Sequence, residues 1–445
     1  LYLLLNHFSM SLLTDQLKNG VVPANLLTRA LGVSPATLMR RVRAERGNVV
    51  AFGRGRATRY GLRREVKGLE PDIPILRIDA MGKPDSVGQL VILAADENAW
   101  LPAGVVFKRL PPEIADMQPS GYMGRAFPRQ HGDLALPPRI ADWSNDHVLI
   151  ALARRGDDFT GNLILGSESV ERWFATRPIA VARDDYPRLA EAATAGEPPG
   201  SSAGGERPKF GAYVEGRHVI VKFATGGDPA AQRWKELLNL EALALEVLRD
   251  GGVAAVDATI LETGTQTFLE VPRFDRIGER GRRAVMSLAA AYQDPSVSWS
   301  RAAASLEARG LLSPEDSRRL RLNDAFARLI ANEDRHHHNV CVFPEHRGAG
   351  ESAGAEPARY ELAPAFDQLP TLYAPTTDGH IPERAFVAPT PSADTWEVWG
   401  EAVRLAATFW RRAGALESLS PGMKVIALRN FEALDRMPTY ELRKR

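Results

Sequence analysis

The sequence predicts an α+β chain: a winged helix-turn-helix, then a small α/β lobe, then a larger and mainly helical lobe. Three observations predict it. Apolar residues recur at helical spacing through the first 45 positions, followed by two β-rich runs around a Gly- and Arg-rich tip. Between about residues 70 and 180, short apolar runs of strand length alternate with proline-rich turns, and strand and helix candidates follow to about residue 275. From about Arg282 onward helical spacing dominates, interrupted near residues 339–375.

Taking the elements in order, Leu4, Leu5, Phe8, Leu12, Leu13 and Leu17 define a first helix over residues 2–19, closed by Gly20. Pro23 opens a second helix that runs to Leu31 and breaks at Gly32. Ser34 followed by Pro35 is an N-cap with proline at the first helical position, so a third helix runs to about Glu45. VVAF and TRYGL, joined by GRGRA, read as a β-hairpin. QLVILAAD, GVVFKRL, HVLIALAR and GNLILG are strand candidates, and residues 181–208 read as loop. HVIVKFA is a strand, Trp234 to Arg249 a helix, and TFLEVPRF a further strand. The small polar segment 347–359 reads as a hairpin tip, and Trp396, Trp399 and Trp410 as C-terminal core.

The 445 residues are about three typical domain lengths, enough to bury a core without covalent staples. The single cysteine, Cys341, excludes a disulfide framework and a multi-cysteine zinc site; its apolar neighbours predict a buried strand cysteine. The opening LYLLLNHFSM lacks a basic n-region and a cleavage site, and no run reaches about 18 apolar residues. The expectation is a soluble, cytoplasmic protein with no membrane partner. Net charge is only +1, but Arg29 to Lys67 carries eleven Arg or Lys against Glu45 and Glu65. Such a basic block predicts a surface for an anionic polymer, here double-stranded DNA. Thr37, Arg40, Arg41 and Arg43 on the third helix would lie at that surface, with Arg54, Arg56 and Arg59 from the hairpin on flanking phosphates.

The stretch NEDRHHHNVCVF carries the chemistry. Asp334 and Asn339 are five apart, the D-x-x-x-x-N spacing of a kinase catalytic loop. An acid that takes the hydroxyl proton and an amide that holds Mg²⁺ must sit close together, so both belong on one short loop. Asp367 follows a strand candidate 28 residues later and supplies a second metal-binding carboxylate. Upstream, Lys222 lies mid-strand, where it can reach phosphates in a cleft. Gly204, Gly205 and Lys209 lie where a phosphate-covering loop belongs. Glu241 and Glu246 both lie on the helix after Lys222, and either is open as its partner. Adjacent His336, His337 and His338 invite a metallohydrolase alternative built on Asp334, His336, His338 and Asp367. A third alternative is a DNA-binding transcriptional regulator with a nucleotide-sensing body.

SSAGGERPKF (201–210), VIVKF (219–223), VPRFDR (271–276), NEDRHHHN (332–339) and LAPAFDQLP (362–370) together resemble the HipA family of serine/threonine kinase toxins. The resemblance covers about residues 80–440. The leading helix-turn-helix is similar to that of the HipH/YjjJ-like branch, in which a DNA-binding module precedes the kinase body. The resemblance implies a protein-kinase-like two-lobed HipA fold, with ATP and Mg²⁺ as cofactors. The implied divisions are 1–68, the winged helix-turn-helix; 69–275, the N-terminal α/β lobe; and 276–445, the C-terminal catalytic lobe. Asp334 resembles the catalytic base, Asn339 and Asp367 the Mg²⁺ ligands, Lys222 the phosphate-binding lysine, and Gly204, Gly205 and Lys209 the phosphate loop. Ser202, with Ser201 as its neighbour, lies where family members autophosphorylate. Glu206-Arg207 and the His-rich DRHHHN depart from the family spelling. The implied function is an ATP- and Mg²⁺-dependent protein kinase and toxin-antitoxin or persistence-related growth regulator, whose relatives act on translation components.

Overall fold

The computed structural model describes residues 12–195, 208–345 and 357–437. Among these, residues 12–119 and 127–177 form one compact unit, and residues 120–126, 178–345 and 357–437 a second.

In the first unit, residues 12–17 are helical and bury Leu13 and Leu17 completely. A short strand β1 (Val22–Pro23) leads into α1 (Ala24–Leu31), which stops at Gly32 in the left-handed region (φ 61°). Ser34 then caps α2 (Pro35–Ala44), its side chain accepting from the Thr37 N–H at 3.2 Å. β2 (Val49–Phe52) and β3 (Arg59–Leu62) form the expected hairpin, and β1 joins β3 to complete a three-stranded sheet. Leu27, Leu38, Val42, Val49 and Tyr60 complete the core of this module.

The module packs directly on the remainder of the first unit. Val50 and Phe52 pack with Val91, Leu93 and Ala99. Arg64 makes a two-pronged bond to Asp146 at 2.7 and 2.8 Å, and Arg63 pairs with Asp72. Beyond the hairpin lies a five-stranded antiparallel sheet of β4 (Asp72–Ile78), β5 (Pro84–Ile92), β6 (Glu97–Leu101), β7 (Val105–Lys108) and β8 (Leu163–Leu165), in the order β7-β6-β5-β4-β8. One strand candidate is overturned: residues 147–154 belong to helix α3 (Asn145–Arg155). Ser144 and His147 cap it reciprocally, and Val148, Leu149 and Leu152 bury one helical face on the sheet. Leu, Ala and Arg in that run favour helix where β-branched residues would have favoured strand. Helix α4 (Ser167–Ala175) follows β8.

The second unit begins with a further correction. Residues 186–194, expected as loop, form α5 (Tyr186–Thr194). Tyr186 is buried and donates to Glu270 at 2.6 Å, while Arg183 grips the same carboxylate at 2.9 and 3.0 Å. The sheet that carries Glu270 is antiparallel, in the order β11-β12-β10-β9: β9 (Lys209–Val214), β10 (Arg217–Thr225), β11 (Thr259–Thr263) and β12 (Gln266–Pro272). Helix α6 (Pro229–Asp250), capped by Asp228, packs on it. Leu237, Leu240, Ala244 and Leu248 of α6 share one core with helices α8 (Pro314–Leu329), α9 (Trp396–Ala415) and α10 (Pro421–Asp435). α7 (Trp299–Ala308) packs on α8, beside a small sheet of β13 (Met286–Ser287), β14 (Cys341–Glu345) and β15 (Arg359–Leu362). Most of the hairpin tip between β14 and β15 lies outside the described residues. Trp399 and Trp410 are fully buried, as expected of core, but Trp396 at the start of α9 is 44% exposed. Cys341 is only half-buried, not a core residue, whereas its β14 neighbours Val342 and Phe343 are buried. No described helix is long and apolar enough to cross a membrane.

Candidate active site

The site is built where β10, α6 and two loops of the second unit meet. Lys222 stands in mid-strand on β10, directly opposite Lys209 of β9 and Leu269 of β12. Directly opposed residues send their side chains to the same face of a sheet, so both lysines serve one side. Lys222 is buried and donates to Glu241 at 2.6 Å and also to Asp367. Glu241 is 1% exposed. The choice between helix glutamates is thereby made: Glu246 is exposed and pairs instead with Arg412 at 3.1 Å.

These charges hold one another in place. Burial works to lower the Lys222 ammonium, but Asp367 and Glu241 outweigh it and hold Lys222 above its ordinary value. Burial works to raise the Asp367 carboxyl, but Lys222 and Lys209 prevail and keep it below the usual carboxylate range. Glu241 is pushed upward, chiefly by burial. The backbone at Asp367 has φ 56°, the left-handed region, where Asp is better tolerated than most residues. Such strain persists where its surroundings over-determine it.

The second loop follows α8. Ala331 takes a left-handed φ of 62° at the helix end and turns the chain into Asn332. The loop is then locked from several sides. Asn332 Oδ1 accepts from the Asp334 N–H at 3.0 Å, and Asn332 Nδ2 donates to the Asp367 carbonyl at 3.4 Å. Thr371 Oγ1 accepts from the Glu333 N–H at 2.7 Å. Asn339 Nδ2 donates to the Asp334 carbonyl at 2.8 Å. His337 is buried and bonds the Val297 carbonyl at 2.9 Å. Arg335 lies 3.9 Å from Asp324, whose other oxygen accepts from Ser300 N–H and O–H at 3.1 and 2.6 Å. The Asp334 side chain remains 59% exposed, with His336 Nε2 at 3.6 Å.

Asn339 and Asp367 are residue types that could hold a magnesium ion. Asn339 spends its amide nitrogen on Asp334, which turns its carbonyl oxygen, a hard donor, away from that bond. Asp367 supplies carboxylate oxygens. Mg²⁺ is commonly held by one or two protein ligands together with substrate phosphates, so two donors are sufficient. Among the described residues, no group of three or more His, Cys, Asp or Glu side chains is arranged to hold a metal ion, and the rings of His336 and His338 stand 6.0 Å apart. Gly204, Gly205, Ser201 and Ser202 lie outside the described residues.

On the basic module of the first unit, Arg40 and Arg43 are exposed on α2 and Arg54 and Arg56 are exposed around the hairpin turn. Arg41 is half-buried. Thr37 is half-buried and its hydroxyl is engaged with Ser34 Oγ at 3.0 Å and Arg40 at 3.3 Å. Arg59 departs from expectation: it donates to the Gly104 carbonyl at 2.8 Å and lies 5.3 Å over Phe52, so it braces the hairpin and is not offered to an outside anion.

Sequence reasoning did not find Asn332, Thr371 or Arg335. A polar residue in a loop carries no periodic signal, and their partners lie up to 39 positions away. Glu241 did leave a signal. It falls between Leu237 and Leu245 at four-residue spacing, a carboxylate on an otherwise apolar face.

The family model for the YjjJ-like toxin middle domain matches residues 69–174, and that for the HipA-like C-terminal domain matches residues 201–416. Toxin YjjJ of Escherichia coli (strain K12) is 34% identical over 443 residues, covering 94% of this chain and 96% of that protein. Among solved structures, HipA of Shewanella oneidensis MR-1, determined with HipB and operator DNA, aligns at 15% identity over 81% of this chain and 93% of its own, with a TM-score of 0.47. The Helicobacter pylori proinflammatory kinase CtkA aligns at 11% identity over 52% of this chain and 87% of its own, with a TM-score of 0.34.

Proposed function

This chain belongs to the family of Toxin YjjJ and the HipA-like toxins, and on that premise we propose that it is an ATP- and Mg²⁺-dependent serine/threonine protein kinase of the toxin type, joined to a duplex-DNA-binding module. The observation that carries the reading is the buried Lys222, bonded at once to Glu241 on α6 and to Asp367. A strand lysine paired with a helix glutamate, beside a loop with a D-x-x-x-x-N spacing, is the equipment of phosphoryl transfer.

The chain's residues divide the work. Asn339 and Asp367 would hold Mg²⁺, which would neutralise charge on the phosphates. Lys222, kept cationic by its two carboxylates, turns its ammonium from Asp367 to the phosphates, while Glu241 keeps it aimed. Lys209 adds a second positive charge on the same face of the sheet. Asp334 orients a serine or threonine hydroxyl and takes its proton on a carboxylate oxygen as the oxygen–phosphorus bond forms and ADP leaves. Little covalent work falls to the protein, so positioning and charge stabilisation carry the rate. The substrate is a protein hydroxyl. Arg40, Arg43, Arg54 and Arg56 supply phosphate contacts to duplex DNA.

Two variants test the division. Asp334→Asn should lose about 10²- to 10⁴-fold in phosphate transfer while still binding a non-hydrolysable ATP analogue in calorimetry. Asp367→Asn should lose transfer and also lose the Mg²⁺ dependence of that binding. Near wild-type transfer by either variant would overturn the assignment.

A further inference from the structure

We infer that Thr371 is a positioning residue, with Asn332 as its partner, that fixes the base Asp334 against the metal-ligand loop of Asp367; this rests on the phosphotransfer reading above. Thr371 stands four residues after Asp367, in a short 3₁₀ turn (Thr371–Tyr373). Its hydroxyl is the hub of three bonds. It accepts from the Glu333 N–H at 2.7 Å and from the Asp334 N–H at 3.2 Å, and it donates to Asn332 Oδ1 at 3.2 Å. Asn332 Oδ1 also takes the Asp334 N–H at 3.0 Å, so that one N–H is shared between the two side chains. The other end of Asn332 closes the link, since its Nδ2 reaches the Asp367 carbonyl at 3.4 Å. A backbone bond from the Leu372 N–H to the Ala331 carbonyl, at 3.1 Å, runs alongside.

The consequence is geometric. The base and the metal-binding carboxylate sit on loops 33 residues apart in sequence. Both must hold the same reacting groups, so their separation has to be fixed to a fraction of an ångström. The peptide N–H of Asp334 is held by Asn332 and Thr371, and its carbonyl by Asn339. Asp334 is therefore clamped on both sides of its Cα while its side chain is 59% exposed. Asn332 is 2% exposed and its bonds are part-buried, whereas the two N–H bonds to the half-buried Thr371 lie at the surface. The Thr371 hydroxyl accepts two N–H groups and donates once. A methyl group in its place leaves the Glu333 N–H without its acceptor and frees the turn to shift. Displacement of about 1 Å at a reacting group costs on the order of 10²-fold in rate. On the phosphotransfer reading, nucleotide binding rests on Lys222 and the Asp367 side chain, which bond each other and, for Lys222, Glu241.

The test uses the full chain as wild type, Thr371→Val and Thr371→Ser. Val keeps the shape and removes the hydroxyl; Ser keeps the hydroxyl and removes the methyl. Amide hydrogen-deuterium exchange is measured in the peptide spanning residues 332–339, and kcat and KM for ATP are measured for phosphate transfer in a lysate. The expected result is faster exchange in that peptide for Val only, with kcat reduced about 10²-fold, KM for ATP changed less than about threefold, and both readouts restored in Ser. Unchanged exchange in Val would refute the clamp. Faster exchange with an unaltered kcat, or equal loss in Val and Ser, would refute the positioning role. A wild type that transfers no phosphate would sink the phosphotransfer reading and the positioning role with it, whereas the exchange result would still decide the clamp.

Discussion

Lys222 shows how a single residue ties stability to chemistry. Its ammonium lies in a site that would neutralise an isolated lysine, and two carboxylates reverse that tendency. Lys222→Met should therefore do double damage. It would remove the proposed phosphate contact, and it leaves Glu241, 1% exposed, without Lys222. Removing one partner of a buried pair costs about 3–5 kcal/mol, which a urea unfolding series would read. A variant as stable as wild type would mean that Glu241 finds another partner. Glu113 of the first unit gives a cleaner titration. Burial pushes its carboxyl up to about 7, with Arg77 pulling the other way. An unfolded glutamate titrates near 4.3, so between about 4.3 and 7 the unfolded chain gives up a proton that the folded chain keeps. The stability contributed by this group is present at low pH and falls as pH rises through that window, then levels above it. Relative to Glu113→Gln, wild type should lose on the order of a few kcal/mol between pH 4 and pH 8. Parallel unfolding curves across that range would refute it.

At the scale of elements, local signals and distant bonds divided the labour of specification. α1 and α2 were legible because their stops are chemical: Gly32 is left-handed, and Ser34 caps before Pro35. β10 was legible from its apolar run, and Lys222 within it from the charge that interrupts that run. α3 misread as a strand because eight apolar-rich residues fit either period, and the deciding cap, Ser144, lies just outside the run. The loop of Asp334 was legible as a spacing, but its clamp was not, since Asn332 and Thr371 meet only once β14 and β15 have turned the chain back. Charge counting likewise overstated the basic surface. Arg59, Arg63 and Arg64 are spent on Gly104, Asp72 and Asp146 inside the first unit, whereas Arg40, Arg43, Arg54 and Arg56 remain exposed. The DNA proposal thus rests on the exposed basic residues of the block, those four among them with Arg29, Arg46 and Lys67. In an electrophoretic shift series on the full chain, Arg54→Ala with Arg56→Ala should weaken binding to every sequence and reduce the salt slope by about 1 for each phosphate no longer neutralised. Arg59→Ala should instead destabilise the hairpin. Full binding by the Arg54/Arg56 variant would move the interface elsewhere.

The molecule as a whole joins two devices in different units: a basic helix-and-hairpin module in the first, and in the second a site of Lys222, Glu241, Asp334, Asn339 and Asp367 between a four-stranded sheet and a helical core. The second device defines the account, because its charges have no structural reason to gather there. A buried lysine with two carboxylates is costly to assemble and often no more stable than an apolar replacement. On the proposed reading, a polyanionic substrate would displace the Asp367 contact and so account for it. The direct measurement is incubation of the purified full chain with ATP labelled at the γ-phosphate and a cell lysate, with Mg²⁺ or with a chelator, for wild type and Asp334→Asn. The account predicts labelled protein that yields phosphoserine or phosphothreonine on acid hydrolysis, from wild type with Mg²⁺ alone. Equal labelling by wild type and Asp334→Asn, or labelling that survives chelation, would contradict it.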